Sequence, residues 1–370
     1  MRTSSRLIIR AAQIALPSGI SGPHAVVCEE GIITSISPIS SDFEDVVLSP
    51  GFIDLQVNGI GDIDVSHAEG DDWSTLDIAL LEQGVTTWCP TVVSAPLGNY
   101  PKIISRITEA QYRRGGLRPT IAGIHLEGPF LGDALGAHDP RHILQAASLW
   151  LDAIPNNVRI FTLAPENASA TLLIDHLRAH HVVVAIGHTR ATDVLTVAAI
   201  DAGATLVTHL YNGMSGVHHR DDGVALVALT DDRVAVSLIA DLLHVRPRAI
   251  NLAFRAKPSG VVLITDSVAS QSEAAKQRGI VISEGAPRLP NGTLAGSRLK
   301  MNIALKNVVE SCHVDLSLAL QAATATPARL LGLADRGTIE VGRRADLVVM
   351  EANFEIQRTW VGGELAPSRH

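Results

Sequence analysis

The chain has 370 residues, 46% of them hydrophobic and 18% charged, with a formal net charge of -8 at neutral pH. That length suits one large core plus a modest second unit, and an acidic balance without a long basic block argues against nucleic acid or an anionic membrane surface as a partner. Three scattered cysteines, Cys28, Cys89 and Cys312, make no CxxC pair, so a disulfide framework and a cysteine metal cluster are both disfavoured and a reduced, cytoplasmic protein is expected.

At the start of the chain, Leu7-Ile-Ile stands alone between Arg6 and Arg10, too short an apolar run for a signal peptide. No later stretch approaches the roughly 18 uncharged apolar residues that a membrane span requires. Residues 1–50 read as short strands and turns: Leu7-Ile-Ile, Ala25-Val-Val-Cys, Gly31-Ile-Ile-Thr-Ser-Ile and Val46-Val-Leu, with no long helical period.

From there onward, strand-like runs begin near Gly51, Val85, Thr120, Val158, Val182, Thr205, Val234 and Val261. Helical stretches such as Trp73 to Gln83, Ala168 to His180, Thr192 to Ala202 and Leu316 to Leu331 alternate with them. Alternation of this kind makes a parallel sheet, and eight strands over this length fit an α/β fold, a (β/α)8 TIM-type barrel. A doubly wound open sheet would need fewer strands and usually a glycine-rich first turn; no GxGxxG or P-loop pattern occurs, so dinucleotide and nucleoside-triphosphate chemistry have no support. After residue 337 the texture returns to strands: Gly337-Thr-Ile-Glu-Val-Gly, Ala345-Asp-Leu-Val-Val-Met and Thr359-Trp-Val-Gly-Gly. The expected organisation is a small β-sandwich domain made from residues 1–50 and 338–370, enclosing a barrel of residues 51–337.

Four of the barrel runs end on polar residues. Ile121 to Glu127, Val182 to His188, Thr205 to His209 and Val261 to Asp266 are β-branched or otherwise apolar until their last positions, as expected of strands buried on both faces. In such barrels the chemistry sits where the strands end and the βα loops begin. One carboxylate and two imidazoles, Glu127, His188 and His209, make a three-donor set typical of a catalytic zinc with a coordination position left open. Asp266 is then a carboxylate placed beside the water.

Several segments together carry a family likeness: Pro50-Gly-Phe-Ile-Asp54, His125-Leu-Glu-Gly-Pro-Phe-Leu131, Gly136-Ala-His138, Gly187-His-Thr189, Thr208-His-Leu-Tyr-Asn212, Leu243-His244 and Thr265-Asp266. They resemble the N-acetylglucosamine-6-phosphate deacetylases of the amidohydrolase superfamily, collinearly from about residue 50 to residue 345. The resemblance implies metal-dependent removal of the acetyl group from N-acetylglucosamine 6-phosphate in amino-sugar metabolism. It makes Glu127, His188 and His209 metal ligands, Asp266 the proton-transferring carboxylate, and His138 a donor to the substrate carbonyl. For the phosphate it points to Asn212 with the backbone of Gly213, to His219 and Arg220, and to His244; the arginine matching Arg220 can reach a neighbouring subunit's site, which implies a homodimer. Leu294, Ala295 and Gly296, within Asn291 to Ser297, resemble the family's active-site loop.

Many amidohydrolases carry His-x-His on the first strand for a second metal, where this chain has Gln56-Val57-Asn58. Neutral amides are poorer ligands than imidazole, so one strongly held divalent ion per subunit is expected, with a weak second site at Gln56 and Asn58 left open. Zinc suits the donor set, and Fe(II), Co(II) or Mn(II) would also be accepted. The chain departs from the family in Asp221-Asp222-Gly223, where relatives commonly have Glu-Pro-Gly, and in Ser267-Val268 after Thr265-Asp266. Substrate fit stays open: no residue identifiable from the sequence reads the sugar's C4 hydroxyl, so the galactosamine isomer is a second candidate substrate. A barrel that binds sugar phosphate without catalysis is a third reading, which the presence of all four polar strand ends disfavours.

Overall fold

All eight runs form strands, and each lies parallel to the next. The computed structural model describes residues 6–113, 116–144 and 154–367; the outer ends of both terminal segments lie outside the described residues. The barrel strands are Phe52–Val57, Val85–Val93, Ile124–Glu127, Val158–Leu163, Val183–Ile186, Leu206–Val207, Ala235–Ile239 and Val261–Ile264, paired in chain order. Helices Asp72–Leu81, Tyr100–Arg113, Ala170–Ala179, Asp193–Ala202, Val224–Thr230 and Pro247–Ala256 connect them. Both faces of the strands are covered, which is why the runs are apolar without alternation. Val261, Val262, Leu263 and Ile264, for instance, are all buried, and each such side chain contributes about 1.5–3 kcal/mol relative to exposure. No helix among the described residues is long and apolar enough to cross a membrane.

Two expectations are corrected. The stretch Leu316 to Leu331 is two helices, Leu316–Ala323 and Ala325–Leu330, because Thr324 leaves helical geometry at φ -135°, ψ -80°. Its hydroxyl bonds the Leu320 carbonyl four residues back at 2.6 Å, a local interaction that competes with the helical ladder. Gly337 to Gly342 forms no strand: both glycines have positive φ, and the segment turns back so that Gly342 N donates to Ile33 O and Ile33 N to Arg343 O. The third barrel run is also interrupted, Thr120–Ile121 pairing with the second strand before Gly123, at φ +151°, resets the chain.

The two ends of the chain share one mixed sheet of eight strands. Leu347–Met350 lies antiparallel to Glu44–Pro50, which in turn lies parallel to Arg6–Leu16. This sheet has its own core, including Ile14, Val26, Ile33, Leu48, Leu347 and Trp360. Glu44–Pro50 runs straight into the first barrel strand through Gly51, where a Cβ would lie 2.1 Å from Thr86 Oγ1; only glycine lets the two units approach so closely.

The barrel closes between its first and last strands without a regular ladder. Asp266 N donates to Gln56 O at 2.9 Å and Asn58 N to Ser267 O at 2.8 Å, with a single bridge between Val57 and Ser267. Asp54, fully buried, fills the gap below: its carboxylate accepts from Thr265 Oγ1 at 2.6 Å, Thr265 N at 3.3 Å and Gln56 N at 3.2 Å. Burial pushes this carboxyl up to about 7, against the pull of those donated bonds.

A carboxyl that holds its proton more tightly when folded than in the unfolded chain, where about 4 is ordinary, contributes fully to stability only below that value and loses the contribution as pH rises through its folded value. Unfolding free energy is therefore expected to fall from about pH 4 to about pH 7 more steeply in the parent than in Asp54→Asn, by at most about 4 kcal/mol. Denaturant midpoints for both proteins across that range check this, and parallel curves would show that Asp54 is ionised throughout.

Candidate active site

The four polar strand ends meet at one end of the barrel. Glu127 is the last residue of its strand, while His188, His209 and Asp266 each stand two residues beyond theirs. Those three have positive φ, at 50°, 32° and 47°, a conformation that costs a non-glycine residue about 1–3 kcal/mol and persists where the surroundings over-determine it. The turn swings each side chain across the barrel axis. Gly187 leaves room for it, since a Cβ there would lie 2.8 Å from Thr162 Cγ2 and 3.0 Å from Thr208 Cβ.

Glu127 Oε1, His188 Nε2 and His209 Nε2 form a triangle with sides of 3.1, 3.0 and 3.0 Å. The other nitrogens settle what this triangle is. His188 Nδ1 donates to Ala134 O and His209 Nδ1 to Asn212 O, both at 3.1 Å; a carbonyl can only accept, so in each neutral ring the proton is on Nδ1 and Nε2 presents a lone pair. Two imidazole lone pairs and a carboxylate oxygen then converge on one point, an arrangement that calls for a cation. Burial raises the Glu127 carboxyl, but where no cation lies between them a protonated ring can donate its Nε2–H to the carboxylate, and such bonds to His188 and His209 outweigh burial and hold the group well below its ordinary value. Burial likewise lowers His209, and its hydrogen bond to Glu127 reverses the net effect to a rise.

His138 stands beside this triangle, its Nε2 3.8 Å from Glu127 Oε2 and its Nδ1 3.0 Å from Ser94 Oγ. Glu127, His138 and His188 also form a cluster whose donor atoms lie within 4.8 Å, looser than the triangle with His209. Burial, followed by the neighbouring His188, pushes His138 down to about 3, so its ring is neutral near pH 7.

Across the triangle, Asp266 Oδ1 accepts from Gln56 Nε2 at 3.0 Å and Asn58 Nδ2 at 2.7 Å. Gln56 Nε2 also reaches Glu127 Oε1 at 3.0 Å. Burial, then the Glu127 charge, pushes Asp266 up to about 6.

A cavity of about 760 Å³ opens onto these groups, lined by Glu127, His138, His188, His209 and Asp266 together with Asn58, Asn212, Gly213, His244, Leu294, Ala295 and Gly296. His244 is held there by Asp241, which accepts from its Nδ1 at 2.7 Å. Gln56 sits just behind the wall, whereas His219 and Arg220 occupy an exposed turn and do not line the cavity. Ser94, Arg278 and Arg288 line it unanticipated. Ser94 directly follows the second strand, Val85–Val93, so the strand-end rule could have found it. Arg278, which donates to Ala137 O beside His138, lies in a segment with no periodic signal.

The amidohydrolase family model matches residues 47–366. The chain is 34% identical to an N-acetylgalactosamine-6-phosphate deacetylase of Escherichia coli O157:H7, over 97% of this chain and 99% of the relative. It is 36% identical to an N-acetylglucosamine-6-phosphate deacetylase of Bos taurus, over 86% and 83%. The N-acetylglucosamine-6-phosphate deacetylase structure from Thermotoga maritima superposes with a TM-score of 0.88 at 30% identity, covering 98% of this chain and 100% of that one. An aspartate-to-alanine variant of the Mycobacterium smegmatis enzyme, in complex with N-acetyl-D-glucosamine-6-phosphate, superposes at 0.87 and 30%, covering 98% and 99%.

The chain belongs to the amidohydrolase family. Its similarity to deacetylases of amino-sugar phosphates spans both the barrel and the terminal sheet. In this amidohydrolase the Glu127, His188 and His209 donors fit a divalent ion: atoms each about 2 Å from a common centre stand about 3 Å apart, as these do. Purified protein is expected to carry one divalent ion per chain, and Glu127→Ala to weaken its binding by more than about 100-fold, beyond what loss of an outer hydrogen-bond partner costs. Because protons compete for His209, the ion is also expected to leave as pH falls. Metal analysis of both proteins after dialysis at several pH values checks this; unchanged content in the variant would remove Glu127 from the donor set.

Proposed function

We propose that the chain hydrolyses the acetyl amide of N-acetylglucosamine 6-phosphate, releasing acetate and glucosamine 6-phosphate. The observation that carries the reading is the convergence of three lone-pair donors on one point with a second, separately held carboxylate, Asp266, facing the same cavity. A divalent ion held by Glu127, His188 and His209, zinc by its donor set with Fe(II), Co(II) or Mn(II) as alternatives, would supply Lewis acidity and lower the pKa of a water toward about 7.

Asp266 receives the proton of the attacking water. Its Oδ1 is engaged by the Gln56 and Asn58 amides, which leaves Oδ2 for the transfer, and a carboxyl raised to about 6 is matched to proton exchange near neutrality. His138, neutral and with Ser94 donating to its Nδ1, keeps its proton on Nε2 and donates to the acetyl oxygen as charge develops there, worth roughly 3 to 4 kcal/mol for one well-placed donor. Asp266 then hands the proton to the amine nitrogen as the C–N bond breaks.

Asn212, Gly213 and His244 are suited to the phosphate, and the strand-eight loop at Leu294, Ala295 and Gly296 to the sugar. Arg220, exposed and away from its own chain's cavity, would serve the neighbouring subunit of a homodimer, its guanidinium matching phosphate oxygens in pairs. The galactosamine isomer is a second reading, favoured by the full-length likeness to the Escherichia coli relative.

Acetate release from the two N-acetylhexosamine 6-phosphates and from unphosphorylated N-acetylglucosamine tests the reading. Fast turnover is expected with the glucosamine phosphate and slow turnover with the free sugar; preference for the galactosamine isomer would install the second reading, and release from none of them would overturn both. Asp266→Asn is expected to keep its metal and lose about 10³-fold in kcat. Arg220→Ala is expected to raise KM for the phosphorylated sugar alone and to leave the unphosphorylated reaction unchanged; an equal effect on both would place Arg220 outside the phosphate site.

A further inference from the structure

The first barrel strand shifts register against the second twice, between Phe52 and Ile53 and again between Asp54, opposite Trp88, and Val57, opposite Pro90. Gln56 lies within that irregular stretch, where its side-chain amide reaches Glu127 and Asp266. On the other side of the seam the last strand ends at Ile264, and Asp266 adopts a left-handed turn at φ 47°. Across the seam the two segments share only a few backbone bonds, Asp266 N to Gln56 O among them, yet both must be held for the carboxylate to meet its amides.

Asp54 is bonded to both. Its Oδ1 accepts from the backbone of Gln56 and of Thr265, and its Oδ2 accepts from the Thr265 hydroxyl at 2.6 Å. The same hydroxyl oxygen accepts from Ser267 N at 3.3 Å, so residues on both sides of Asp266 are tied to one buried group. Asp54 does not line the cavity and takes no part in the proton transfers. We propose that Asp54 and Thr265 form a positioning clasp that sets Asp266 against the Gln56 and Asn58 amides and so directs its free oxygen into the cavity. The proposal rests on the reading of Asp266 as the proton carrier, and it makes Asp54 and Thr265 positioning residues that touch neither substrate nor metal.

The Thr265 pair of variants is the decisive experiment. Thr265→Val keeps the shape and removes the hydroxyl's bonds to Asp54 and Ser267; Thr265→Ser keeps the hydroxyl and removes a methyl group. Thr265→Val is expected to lower kcat about 10- to 100-fold with KM and metal content nearly unchanged, the scale of loss that follows a small misplacement of a reacting group. Thr265→Ser restores most of it, and Asp54→Asn behaves like the valine variant. Crystal structures of the valine and serine variants supply a readout apart from activity: in the first, the Asp266 carboxylate leaves the Gln56 and Asn58 amides, and in the second it stays. A valine variant that unfolds earlier but retains parental kcat per bound metal, or whose Asp266 carboxylate has not moved, would overturn the clasp. Absence of acetate release from the parent would count against the hydrolase reading instead, and the two crystal structures would still decide whether the clasp holds Asp266.

Discussion

The closure of the barrel is the constraint on which the site depends. Seven of the joins between neighbouring strands are parallel ladders, but the eighth, between Phe52–Val57 and Val261–Ile264, is made by a few backbone bonds beyond the strand ends and by buried side chains. Backbone amides buried in a core need partners, and at this seam the Asp54 carboxylate supplies them to Gln56 and Thr265. Polar groups are thus drawn into the barrel interior directly beneath the cavity. The irregular seam also frees Gln56 from strict pleating, and its amide can turn toward the carboxylates above.

Those carboxylates are driven apart in character by their partners. Glu127 lies against two imidazoles and is held ionised; Asp266 lies against neutral amides and near the Glu127 charge, and is raised. Two buried carboxyl groups whose surroundings push them in opposite directions can take different roles in one reaction, one holding charge and the other exchanging a proton. The tautomers of His188 and His209 contribute to the same division. Because both rings spend Nδ1 on backbone carbonyls, both neutral rings turn lone pairs toward Glu127, and a bound cation would relieve that convergence.

The strands and their polar ends were legible because a strand covered on both faces permits few polar residues, so Glu127, His188, His209 and Asp266 stood out against apolar runs. The family motifs added His138 and the Leu294 to Gly296 loop, and these residues line the cavity. Asp54 could not be read for its contacts: an aspartate within a strand gives no sign that one of its partners, Thr265, stands 211 residues away in sequence. Arg278 and Arg288 were missed for a related reason, since the excursion after the last strand has neither helical nor strand periodicity to place it. Arg220 was named for the phosphate only through the family resemblance, and in the structure it stands in an exposed turn away from the cavity. The break at Thr324 was hidden because a side-chain bond to the preceding turn leaves no mark on the apolar pattern.

The Gln56 and Asn58 amides bear on how many ions the cavity holds. An ionised Asp266 can only accept, so each amide must present its nitrogen to it, as the distances of 3.0 and 2.7 Å record. Gln56 Oε1 and Asn58 Oδ1 are then left buried without a hydrogen-bond partner among the described residues. To ligate a second ion, these side chains would have to offer oxygen from the place where they now offer nitrogen, releasing Asp266 in doing so. The amide cradle and a second metal site are therefore competing uses of the same two residues. A cradle of neutral donors keeps the carboxylate oriented without adding positive charge beside it, and so leaves its basicity to be set by burial and by Glu127. For the proposed role of Asp266, taking a proton and returning it, that is the use the geometry favours.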